Sequence, residues 1–140
     1  MSFFDWTPAL DVHVDAMNNE HKKLIDLMNV LHDKVEAKAG KSLIGLALDQ
    51  LAQYTVRHFA DEEAYMASVG FVKLEVHKGL HKQLLDRFGG FQKEFEQTGE
   101  LTTAFFDFLR FWLTAHIKSI DTQYTNTANL APVGLAGAKR

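Results

Sequence analysis

His58 with Glu62, and His77 with His81, stand four residues apart, so on a helix each pair would share one face about one turn apart. Imidazole nitrogens and carboxylate oxygens placed in this way can act together on a metal ion. His116 and Asp121 are five residues apart, which on a regular helix at ~100° per residue separates them by about 140°. For these two to act together, either the helix widens into a π-type turn or Asp121 reaches back from a fraying end. His21 has no such neighbour, but it fills a gap in an apolar stripe.

The elements that carry these residues follow from periodicity and punctuation. The two prolines are Pro8 and Pro132, so the strongest helix breaker is absent between them, while Gly40, Gly70 and Gly99 are placed to close successive helices. Four helical segments are predicted, at 17–38, 43–68, 73–97 and 101–124. Their stripes read Met17, His21, Leu24, Met28, Leu31, Val35; then Ile44, Leu48, Leu51, Thr55, His58, Glu62, Met66. The third reads Leu74, His77, His81, Leu84, Phe88, Phe91, Phe95, and the fourth Leu101, Phe105, Leu109, Trp112, His116, Ile120. Short connections make consecutive helices antiparallel neighbours, so the expected fold is all-α, an up-down-up-down antiparallel four-helix bundle. Residues 1–14 are an N-terminal arm whose Phe3, Phe4, Trp6 and Leu10 should lie across the bundle. Residues 15–124 form the bundle, and 125–140 are expected to be a flexible tail. Phe105, Phe106, Phe108 and Phe111 surround more of the fourth helix than one buried face needs, so the arm or another subunit should cover the excess.

In that topology the starts of the first and third helices meet the ends of the second and fourth. Counted from this shared end at ~1.5 Å per residue, all seven groups fall in a band roughly 5 to 15 Å deep. Burying five histidines and two carboxylates there costs several kcal/mol for each charged group unless something pairs them, and a metal is the obvious partner. Nitrogen and oxygen donors without sulfur suit iron, zinc, copper or manganese. With a solvent-derived bridge, the donors fill all but one coordination position of two octahedral ions, leaving a place for an external small ligand. His13 and His32 lie outside the band and read as surface or capping residues.

Composition removes alternatives. The chain of 140 residues has no cysteine, which excludes disulfides, thiolate-ligated zinc, iron–sulfur clusters and cysteine nucleophiles. Its 15 Lys and Arg against 18 Asp and Glu give a net charge of −3 with no basic block, which argues against nucleic acid as a partner. The apolar stretch 101–120 is interrupted by Asp107, Arg110, His116 and Lys118, so no membrane insertion is expected. Residues 1–6 carry no targeting signal, and the expected compartment is the cytoplasm.

The strings His58-Phe59-Ala60-Asp61-Glu62-Glu63-Ala64-Tyr65-Met66, His77-Lys78-Gly79-Leu80-His81 and Trp112-Leu113-Thr114-Ala115-His116-Ile117-Lys118-Ser119-Ile120-Asp121, with His21-Lys22-Lys23-Leu24, resemble the hemerythrin family. Within it the match is to the single-domain bacteriohemerythrin type, over about residues 5–124. The resemblance implies a non-haem di-iron centre, two iron ions per chain with an oxo or hydroxo bridge, that binds O2 reversibly. By position, His77, His81 and His116 would complete one iron, His21 and His58 would hold the other, and Glu62 and Asp121 would bridge them. O2 would bind at the iron held by His21 and His58. The open position is expected to be lined by Leu24, Phe59, Leu113 and Ile117, each one or three positions from a ligand, to exclude water and slow autoxidation. The five-residue spacing of His116 and Asp121 is the family's own. One departure is Asn18-Asn19-Glu20, where many relatives carry an acidic residue three positions before the histidine and Gln immediately before it.

The expected function is oxygen storage, transport or delivery to an oxygen-consuming enzyme, by a monomer or weak oligomer that is not itself an enzyme. The alternatives are a di-iron redox enzyme handling peroxide or nitric oxide, and an oxygen or iron sensor acting through a partner. Di-iron oxygenases typically use four carboxylates and two histidines, unlike the histidine-rich set here.

Overall fold

The computed structural model describes residues 3–117. Four long helices follow one another: α1 (Asp15–Glu36), α2 (Lys41–Ser68), α3 (Leu74–Thr98) and α4 (Thr103–Ala115). They form an all-α four-helix bundle, and α4 continues into a π-type turn at 116–117. The expected end of the fourth helix and the tail lie outside the described residues.

Among the described residues each stripe lies on its helix's inward face, with Val35, Leu74, Leu84, Phe91 and Leu101 half-buried at its edges; Ile120 lies outside the described residues. Met28, Leu31, Leu48, Leu51, Phe95, Phe105 and Leu109 form a dry apolar core, whereas His21, His58, Glu62, His77, His81 and His116 are buried together at the opposite end. One half of the bundle is thus apolar throughout, and the other holds the polar cluster among apolar side chains such as Met17, Leu24 and Leu113.

The turns differ from expectation at one point. Gly40 does not close α1; it precedes α2 in an extended conformation (φ −62°, ψ 156°). The closing residue is Lys38, at φ 55°. Its N–H donates to Val35 O at 3.0 Å, and Ala39 N–H donates to Lys34 O at 2.9 Å, the paired bonds of a Schellman end. The end of α2 repeats the device with glycine: Gly70 (φ 69°) donates to Ala67 O and Phe71 to Met66 O. Gly99 (φ 75°) closes α3.

The arm is fastened by side-chain amides that no periodicity reveals. Asn29 accepts from Phe4 N–H through Oδ1 and donates to Phe4 O through Nδ2, both at 2.8 Å. Asn18 accepts from Val12 N–H at 3.0 Å and donates to Asp11 at 2.7 Å. A short 3-10 turn, Pro8–Leu10, buries Leu10 against the bundle. Phe3 stacks on His32 at 4.7 Å and meets Phe106 edge-on at 5.4 Å, so the arm covers part of the aromatic excess of α4. His32 therefore belongs to the arm's seat. Phe108 packs beside Phe91 under the Arg87 guanidinium, and Phe111 remains 68% exposed.

Candidate metal centre

All four helices contribute donors to one buried volume: α1 gives His21, α2 gives His58 and Glu62, α3 gives His77 and His81, and His116 lies at the end of α4. These side chains are at most 2% exposed. They fall into two overlapping groups, Glu62 with His77, His81 and His116, and Glu62 with His21 and His58; within each, the donor atoms lie within 4.8 Å of one another. Glu62 is common to both. Its Oε1 lies 2.8 Å from His81 Nε2 and 3.2 Å from the Nε2 atoms of His77 and His116. Its Oε2 lies 3.7 Å from His58 Nε2 and 3.9 Å from His21 Nε2. One carboxylate oxygen thus faces three imidazoles and the other faces two.

The structure therefore brings six of the seven anticipated donors together. Asp121 lies outside the described residues. His116 sits where α4 widens into a π-type turn; its spacing to Asp121 falls outside the described residues. His13 is exposed at φ 61° and pairs with Asp11, away from the cluster.

Two carboxylates outside the anticipated donor set complete the surroundings; the sequence marked Glu20 only as a departure expected to alter the surroundings of His21, and Glu63 not at all. Glu20 Oε1 lies 2.8 Å from His58 Nδ1, and Glu63 Oε2 lies 2.8 Å from His81 Nδ1. The only available signal was a carboxylate beside a candidate donor, Glu20 before His21 and Glu63 after Glu62, and on a helix adjacent residues face different directions. Glu20 is also where many relatives would carry Gln; its partner is His58, on the neighbouring helix.

The donor chemistry fits a metal. If a carboxylate accepts from Nδ1–H of His58 and of His81, each neutral ring turns a bare Nε2 inward. The His81 Nε2 then faces Glu62 Oε1 at 2.8 Å and His116 Nε2 at 3.2 Å, electron-rich atoms that need a cation or an added proton between them. His58 Nε2 is buried and makes no hydrogen bond. Burial alone would raise the Glu62 pKa; in the metal-free chain, hydrogen on the facing nitrogens of His116, His21, His77 and His81 takes the cation's place, and these bonds outweigh burial and hold the carboxyl well below its usual range. The site is thus an anion ringed by imidazoles.

Apolar side chains close the volume. Leu24, Phe59, Leu113 and Ile117 are all buried. The Phe59 ring lies parallel to His81 with centroids 3.9 Å apart, closer than its 5.8 Å to His58.

Comparison with known proteins gives one answer. The domain described as "Hemerythrin HHE cation binding domain" matches residues 12–128. The bacteriohemerythrin of Methylococcus capsulatus is 34% identical over 126 residues, covering 89% of this chain and 95% of its own. Myohemerythrin-1 of Phascolopsis gouldii is 31% identical over 120 residues, covering 85% and 89%. A crystal structure of hemerythrin with one leucine replaced by alanine superposes with a TM-score of 0.80 at 32% identity, covering 89% of this chain and 95% of that one. No described helix is long and apolar enough to cross a membrane. With a cation-binding domain matched over most of its length and a buried histidine and glutamate cluster able to hold metal, the chain belongs to the hemerythrin family.

Proposed function

We propose that this chain binds O2 reversibly at a di-iron centre, for storage, transport or delivery to an oxygen-consuming enzyme. His77, His81 and His116 would hold one iron and His21 and His58 the other, with Glu62 and Asp121 as carboxylate ligands shared between them. The observation that carries the reading is the pair of donor groups sharing Glu62, three histidines on one side and two on the other. The side with fewer protein donors would leave a coordination position for an external ligand. The irons, when bound, supply the electrons on which reversible oxygen binding depends.

The chain's own residues do the rest. The five imidazoles and the shared carboxylate fix the metal positions from four helices, and the outer carboxylates Glu20 and Glu63 orient two of the rings. Leu24, Leu113 and Ile117 would exclude water from the open position, and Phe59, seated on His81 rather than on His58, would shield the cluster from the side of the other metal position, which slows oxidation of the iron. Among the described residues the only carboxylate inside the cluster is Glu62, and its ligand role leaves no separate general acid or base there. That favours a binding protein over an enzyme.

The test is optical spectroscopy of the reduced protein with and without air, alongside iron analysis. The expected result is an absorption band that appears with oxygen and disappears on its removal, with two irons per chain. Irreversible oxidation on first exposure, with turnover of added peroxide or nitric oxide, would replace this reading with a redox enzyme.

A further inference from the structure

We propose that Glu20 and Glu63 are positioning residues of the metal centre, each fixing one imidazole per metal position with hydrogen on Nδ1 and a bare Nε2 turned inward. This rests on the metal reading of the cluster above. The two contacts have the same construction. Glu20 on α1 reaches His58 on α2, and Glu63 on α2 reaches His81 on α3, both at 2.8 Å to Nδ1. His58 belongs to one donor group and His81 to the other, so each metal position receives one imidazole backed by a carboxylate from outside.

The chemistry follows from what a carboxylate and an imidazole can do. A carboxylate only accepts, so the shared hydrogen belongs to Nδ1 and the lone pair is left on Nε2. The negative partner also pushes electron density into the ring, which makes Nε2 a stronger donor. Both rings are buried, whereas Glu20 and Glu63 have side chains 18% and 27% exposed, so the orienting charge sits at the rim without joining the cluster. The carboxylates also tie α1 to α2 and α2 to α3, so the role in fixing the tautomer is read from the Nδ1–H resonance in the metal-free form, which tells where the ring hydrogen sits whatever the tie contributes to affinity.

The test uses the full-length chain, nitrogen-15 labelled, with zinc as a diamagnetic probe. Zinc affinity at each position is measured by chelator competition, and the His58 and His81 Nδ1–H resonances are followed in the metal-free and zinc-loaded forms. E20M is expected to lose the His58 Nδ1–H resonance and to weaken the His21–His58 position by about 10- to 100-fold, leaving the other unchanged. E63M should do the converse at His81. E20Q keeps an accepting carbonyl and should retain the resonance and most of the affinity. Equal weakening of both positions by either Met variant would overturn the proposal, as would unchanged affinity and resonance. If E20M does not fold, E20Q decides: loss of its His58 resonance overturns the proposal. Absence of zinc binding by the unaltered chain would instead overturn the metal reading itself.

Discussion

Glu62 faces every histidine of the cluster, so single substitutions should have unequal consequences. Glu62→Ala is expected to lose both irons, whereas His58→Ala should lose the one at the open position and keep its neighbour. Iron per chain after desalting distinguishes the two, and retention of both irons by His58→Ala would contradict the assignment. Leu113 is fully buried beside the cluster, and Leu113→Ala should cost about 2–5 kcal/mol of stability and speed autoxidation by admitting water. An unchanged autoxidation rate would remove Leu113 from the pocket. The donors were legible because a histidine or glutamate within an apolar stripe is conspicuous. Glu20 and Glu63 were not, since each lies beside a stripe, where a carboxylate is ordinarily solvated. Phe59 had been assigned to the pocket from its place next to His58, but its ring orientation against His81 depends on packing between helices and leaves no mark in the spacing.

At the level of the helices, the stripes predicted which faces are buried, and the glycines predicted two of the three turns. The exception is instructive. Lys38 adopts a left-handed conformation that costs a non-glycine residue about 1–2 kcal/mol, two positions before a glycine that does not use its freedom. Lys38→Gly is therefore expected to stabilise the fold by up to about 1 kcal/mol after the greater entropy of unfolded glycine is subtracted. Urea denaturation checks this, and a destabilised variant would show that the Lys38 side chain contributes more than its backbone strain costs. The arm's attachment was legible only in its aromatic residues. Asn18 and Asn29 make the bonds that hold it, and an asparagine on a helix is ordinarily just a polar residue.

Across the whole molecule, the apolar half can hold itself together by burial, but the half that contains the cluster depends on what neutralises it. Free metal at a thousandfold excess over its dissociation constant adds about 4 kcal/mol, so removing the metal should lower the melting temperature. Hydrogen exchange should then accelerate around 17–24, 55–66, 77–84 and 112–117 while protection persists around 44–51 and 105–109. Uniform acceleration would mean that the halves are not separable. The arm adds a constraint of a different kind. Arg110 donates to the carbonyl of Phe3, 107 residues away in the chain, at 3.0 Å, and its guanidinium lies over the Phe3 ring. Contacts of such long separation form late, because loop closure precedes any gain. On the ribosome, both the fastening of the arm to α4 and the arrival of His116 must wait for α4 to emerge, so the nascent chain can gather these six donors only after the other three helices are already outside.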